Sequence, residues 1–397
     1  MKTAWLAILL FALTGTAVTF YPHPATSKRH APIQPPSAAP AQHPPRVEAV
    51  FVLDTTGSMG GLIQTAKEKI WSIATSMASA QPAPEIRLGL VAYRDRGDTY
   101  VTRITDLTDD LDSLYATLMD YRAEGGGDTP ESVNAALAAS FEQISWSSEP
   151  GTYRVVYLVG DAPPHMDYQD EVHYPETLAR ARELGIVVNT IRCGDDPATE
   201  QAWRHIATLT QGDYFTVGAA GGGLAIATPF DAELSSLSAA LDATRLFYGD
   251  RETLVMSAAK LAATDKVHAE ASEASRARRA AFNASDSGKA NLFGDHDLVS
   301  AVVSGRVRLE DVGEEALPPS VQTLGPAERE AYVRRQADER EALQKRIRRL
   351  SEKRDAYLAE EAAARGDVSG SLDYQLFESL RNQAAPKGLS YPEAPKL

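Results

Sequence analysis

The sequence predicts a doubly wound α/β domain with a mostly parallel sheet and one antiparallel edge strand, followed by a C-terminal α-helical region. Two observations carry this. From Val47 to about Gly249, short apolar runs alternate with amphipathic helical patterns, and near-continuous apolar strands separated by helices form parallel sheets covered on both faces. After Gly249 the chain becomes Ala-rich, charged and helical.

The elements run in order. "VEAVFVL" (47–53) reads as a buried strand, and "GLIQTAKEKIWSIATSMA" (61–78) as an amphipathic helix. Next come strand "IRLGLVAY" (86–93), the turn "RDRGD" (94–98) and "TYVTRI" (99–104), expected as the antiparallel edge strand. Helices "DDLDSLYATLMDY" and "TPESVNAALAASFEQI" precede strand "YRVVYLVG" (153–160). Helix "PETLARARELG", strand "IVVNTIRC", helix "ATEQAWRHIATLTQ", strand "DYFTV" and helix "DAELSSLSAALDATRLF" complete the domain. Trp71 and Trp203 fall on apolar helix faces with Ile70, Ile73 and Ile206 and are expected in the core.

Beyond residue 250, "DRETLVMSAAKLAATDKVHAEASEASRARRAAFNA" and a mixed segment lead to a long helix over about 327–365. A heptad reading of that helix puts Val333, Arg340, Ile347 and Arg354 at one seam position and Gln336, Leu343, Leu350 and Tyr357 at the other. Five of these eight are apolar, which allows a coiled coil and self-association. Packing on the α/β domain, or a helical hairpin, fits equally well. The basic run at 276–279 reads as an intramolecular or solvated face.

The 397 residues carry a net charge of -14. Residues 1–46 hold Lys2, Lys28, Arg29 and Arg46 and no acid, so the remainder is still more acidic. Such a body argues against a nucleic-acid partner and is compatible with cation binding. Residues 1–20, "MKTAWLAILLFALTGTAVTF", have the basic start and apolar run of a secretory signal or an N-terminal membrane anchor. Residues 21–46 are a Pro-rich linker that can hold the domain away from a membrane. The expectation is an exported protein, periplasmic or extracellular. Cys193 is the sole cysteine, so no intrachain disulfide forms, and at the end of an apolar strand it reads as a small core residue.

Chemistry concentrates at strand ends, where doubly wound sheets bind ligands. "DTTGSMGG" (54–61) hands Asp54, Thr56 and Ser58 to a glycine-rich turn after the first strand. Their alternation points oxygens to one side, as hard divalent cations require. "AEGGGDTPESV" presents Thr129 just before a helix, and "VVYLVGDAPPH" ends a later strand at Asp161.

Together these motifs resemble the von Willebrand factor type A family and its metal-ion-dependent adhesion site. The resemblance covers roughly residues 47–249 and implies a metal site of Asp54, Thr56, Ser58, Thr129 and Asp161. Thr56 stands where that family more often has serine, and "GDAPPH" replaces a common Thr-Asp-Gly. "DTTGSM", "VAYRDRGD", "GGGDTPESVNAAL" and "GDAPPH" are most similar to a branch found in bacterial exported proteins and beside atypical α-kinases; no kinase signature follows residue 250. The implied cofactor is Mg²⁺, with Mn²⁺ or Ca²⁺ as alternatives. The implied partner is a protein offering an Asp or Glu carboxylate, and no enzymatic activity is expected.

Two rival functions remain. His165, Asp167, Asp170 and His173 in the loop after Asp161 could serve a metal-dependent hydrolase, with His165 or His173 as base. Alternatively the helical tail is a scaffold and the metal site has no ligand role. Arg96-Gly97-Asp98 matches an integrin-recognition string but occupies a predicted turn.

Overall fold

The protein is represented by a computed structural model that describes residues 44–127, 129–217, 226–364 and 371–392. The expected signal or anchor and nearly all of the Pro-rich linker lie outside the described residues.

Six strands form one sheet in the order β3-β2-β1-β4-β5-β6, with β1 Arg46–Asp54, β2 Glu85–Tyr93, β3 Thr102–Thr108, β4 Tyr153–Gly160, β5 Ile186–Cys193 and β6 Tyr214–Val217. All neighbours are parallel except β2 and β3, so the edge strand is antiparallel as expected. β1 is central because it is buried almost along its whole length. Its alternate side chains feed opposite layers. Ala49, Phe51 and Leu53 pack with α1 (Ile63–Ala78) and α2 (Leu111–Asp120), whereas Val50 and Val52 pack with α3 (Val133–Glu142), α4 (Tyr174–Glu183) and α5 (Pro197–Leu209). Trp71 and Trp203, 2% and 0% exposed, anchor the two layers.

β1 pairs with β2 on one side and β4 on the other, so the crossovers leave in opposite directions at this strand. That opens a crevice at the carboxyl ends of β1 and β4, where Asp54 and Asp161 emerge.

The helical region continues through α6 (Asp231–Asp242), α7 (Arg251–Glu270), α8 (Glu273–Ala284), α9 (Asp286–Phe293), α10 (Leu298–Val303), α11 (Pro319–Gln322), α12 (Pro326–Ala364) and α13 (Leu372–Ala384). Its starts are capped by side chains: Asp250, Ser272, Ser285, Asp297 and Ser371 accept backbone N–H bonds in the first turn. Leu372, Leu376 and Leu380 of α13 join the core layer beneath α1, and Lys69 pairs with Asp373 at 2.6 Å. The described residues form one compact unit.

Along α12 one seam position is buried against other helices of the same chain. Val333 and Ile347 are fully buried. Arg340 donates to Asp297 at 2.7 and 3.1 Å and lies over the Phe293 ring, while Arg354 donates to Asp231 at 2.8 Å. These carboxylates explain arginines in an otherwise apolar seam. Among the described residues no helix is long and apolar enough to cross a membrane.

Candidate metal centre

The turn after β1 is a short 3₁₀ segment, Gly57–Gly61, and it points its oxygens along a chain of hydrogen bonds. Asp54, fully buried, accepts on Oδ1 from the Thr56 amide (2.8 Å) and hydroxyl (2.6 Å). Thr56 Oγ1 lies 3.1 Å from Ser58 Oγ, which donates to Asp161 Oδ1 at 2.9 Å. Four of the five residues expected in the site therefore converge. Thr129 is exposed on its loop and lies outside this bonded chain among the described residues.

The other oxygen of Asp54, Oδ2, is buried without a hydrogen-bond partner. Burial pushes the Asp54 carboxyl up to about 7 against the opposing Thr56 hydrogen bonds, with the Asp161 charge adding to the rise. Burial likewise raises the Asp161 carboxyl. These carboxylates sit where ionisation lacks compensation, and a hard cation would supply it. Among the described residues no group of three or more His, Cys, Asp and Glu is arranged to hold a metal. The strand-end cluster instead draws half of its bonded side chains from hydroxyl residues.

A third acid, not expected from the sequence, stands at this rim. Glu131 is 2% exposed, its Oε2 has no partner, and burial followed by the charges of Asp54, Asp95, Asp98 and Asp161 pushes it up to about 8. Its Oε1 and the Thr56 Cβ each lie 3.0 Å from where a Cβ on Gly126 would stand. Gly126 has φ +69°, so glycine is needed there both for conformation and for this close approach. The one available signal was an acid between Pro130 and Ser132, and nothing in the sequence set it apart from Glu124 and Asp128 in the same loop.

The surrounding loops hold this geometry. Asp98 of the "RDRGD" turn accepts from the Gly126 amide at 3.0 Å and from the Asp95 amide at 3.2 Å, so it braces the glycine loop. The backbone of Glu131 exchanges bonds with the loop after β4: its N–H donates to Pro163 O and its carbonyl accepts from the His165 amide. His165 is 5% exposed. Its ring nitrogens face Asp167 (2.7 Å), the Tyr168 hydroxyl (3.1 Å) and Asp95 (3.4 Å). His173 is separate, with Nε2 3.3 Å from Tyr168 O, and Asp170 pairs with Arg96. Of the four loop residues, His165 and Asp167 pair with each other, whereas Asp170 and His173 have other partners.

Thr55, between the ligand candidates, points away as its position implies: its hydroxyl donates to Tyr93 O (2.9 Å) and lies 2.8 Å from the Tyr100 hydroxyl. Thr55→Val should cost about 1 kcal/mol in denaturant unfolding, the usual worth of such a bond. It should leave any cation response intact; equal loss of that response in Thr55→Val and Thr56→Val would contradict this division.

The fold and rim define an α/β domain with an acid-and-hydroxyl cluster at its topological switch point. Residues 48–229 match the family model described as von Willebrand factor A domain. The chain is 30% identical over 151 residues to von Willebrand factor A domain-containing protein 7 of Rattus norvegicus, covering 38% of this chain and 15% of that protein. It is 29% identical over 119 residues to an ariadne-like RING finger protein of Acanthamoeba polyphaga mimivirus, covering 30% and 11%. The chain therefore spans only a small part of these relatives. Among solved structures, the SpRpn10 VWA domain matches at 12% identity and TM-score 0.35, covering 44% of this chain and 89% of that one. Mussel byssus proximal thread matrix protein 1 with a zinc-occupied MIDAS motif matches at 16% and 0.36, covering 44% and 42%.

Proposed function

We propose that the rim formed by Asp54, Thr56, Ser58, Thr129 and Asp161 binds a divalent cation, Mg²⁺ foremost and Mn²⁺ or Ca²⁺ as alternatives, and captures an Asp or Glu carboxylate of a partner protein. The observation that carries this is the buried, unpartnered Asp54 Oδ2 at the head of an aligned row of oxygens. Bound there, the ion would supply a positively charged centre with an open coordination position. Asp54 anchors it from a rigid strand, Thr56 and Ser58 contribute neutral oxygens, and Asp161 faces Ser58 across the crevice. With so few anionic ligands, charge remains for an incoming carboxylate.

The reading is one of binding, not catalysis. His165, the best-placed base, is already engaged by Asp167, Tyr168 and Asp95. Export through the N-terminal segment, tethering by the linker and self-association through the helical region belong to the same proposal. Immobilised protein should retain a partner from periplasmic or membrane fractions in Mg²⁺ and release it in chelator, and Asp54→Ala should retain none while folding normally. Equal capture in chelator would refute metal-dependent binding.

A further inference from the structure

A cavity of about 140 Å³ lies where α1, α8 and α12 meet. Ser351 of α12 lines it, is 9% exposed, and leaves its Oγ buried without a hydrogen-bond partner. Arg278 of α8 lines it too. Its Nε is buried and unpartnered, and among the described residues no carboxylate lies within ion-pairing distance of its guanidinium. Burial, then the neighbouring Arg354 charge, hold the Arg278 pKa below its ordinary value.

A guanidinium does not lose its charge at accessible pH, so it needs an acceptor. Its neighbours are occupied or distant. Arg279, the adjacent residue, saturates Asp112 and Asp242, and Asp231 is taken by Arg354. On the α1 wall, Ser72, Thr75 and Ser79 already donate to Asp373, Trp71 O and Ser76 O. The uncommitted donors therefore come from α8 and α12; the exposed Arg348 of α12 also lines the cavity but donates to Ala284 O at 3.4 Å. Glu352 and Asp355 also line the space. They limit its positive charge, which favours a small anion over an extended polyanion.

We propose that this cavity binds a small tetrahedral oxyanion, phosphate or sulfate in class, through the Arg278 guanidinium and the Ser351 hydroxyl. The guanidinium fork offers two parallel donors to such an anion, the hydroxyl offers a third, and the volume admits the ion with residual water. The ligand would bridge α8 to α12 within the helical region.

Isothermal titration of the full chain with inorganic phosphate at fixed ionic strength should show saturable binding. Sulfate should compete and acetate should not. Arg278→Met should weaken binding at least about ten-fold and Ser351→Ala less, with far-UV circular dichroism unchanged. No binding by the wild type, equal binding of acetate, or undiminished binding by Arg278→Met would each overturn the proposal. Should Arg278→Met fail to fold, Ser351→Ala decides: unchanged phosphate affinity there overturns it.

Discussion

Arg279→Met will be among the most destabilising single substitutions in this chain, at about 3–5 kcal/mol. Arg279 is fully buried and donates to both oxygens of Asp112 (2.7 and 2.5 Å), both oxygens of Asp242 (2.7 and 3.0 Å) and Ser238 (2.8 Å). It comes from α8, Asp112 from α2 and Asp242 from the end of α6, so one guanidinium ties the helical region to the α/β layers. Methionine matches its length but strands two buried carboxylates, left with Arg245 at 4.0 and 3.7 Å, Thr264 and His268. Burial opposes ionisation of both acids, yet Arg279 holds them below the usual carboxylate range. Their contribution is therefore present above about pH 4 and lost as pH falls through the folded values. Denaturant unfolding at pH 7 reads the loss directly. A change under 1 kcal/mol would contradict this account of how the two regions are joined.

The metal-free protein will be less stable at pH 8 than at pH 5, and Mg²⁺ will reverse the difference. Asp54 and Glu131 are pushed up to about 7 and about 8, chiefly by burial. A raised folded pKa gives stability that is complete below the unfolded value near 4 and is lost as pH rises through the folded one. For Asp54 alone this is on the order of 3 kcal/mol, or roughly 5 °C in Tm for a domain of this size. A divalent ion compensates the ionised carboxylates, so Mg²⁺ should raise Tm strongly at pH 8 and little at pH 5. Asp54→Asn should make the metal-free profile shallower, leaving the share that Glu131 contributes, and should remove most of the Mg²⁺ effect. A flat wild-type profile, or a Mg²⁺ effect that persists in Asp54→Asn, would count against the site.

Much of this architecture was legible in the sequence because it rests on local periodicity. Apolar runs such as "VEAVFVL" and "YRVVYLVG" can only be central strands, and the less apolar "TYVTRI" after a tight turn marked the edge, which forms as Thr102–Thr108. Asp54, Thr56 and Ser58 were legible because two-residue spacing in one turn fixes their common direction. Glu131 was not, because what brings it to Thr56 is the left-handed glycine loop and the backbone pairing with Pro163 and His165, contacts between distant segments. The α12 seam was ambiguous for a related reason. Arg340 and Arg354 resemble solvated positions until Asp297 and Asp231 are seen opposite them. The Arg96-Gly97-Asp98 string proved to be a brace, with Asp98 holding the Gly126 amide.

The central claim is that the crevice between β1 and β4 holds a divalent cation through Asp54. Calorimetric titration of chelator-stripped full-length protein with Mg²⁺ and Mn²⁺ at pH 8 tests it most directly. The account predicts one saturable site in the wild type and in Thr55→Val, and none in Asp54→Asn. Absence of binding in the wild type, or an unchanged isotherm in Asp54→Asn, would contradict it.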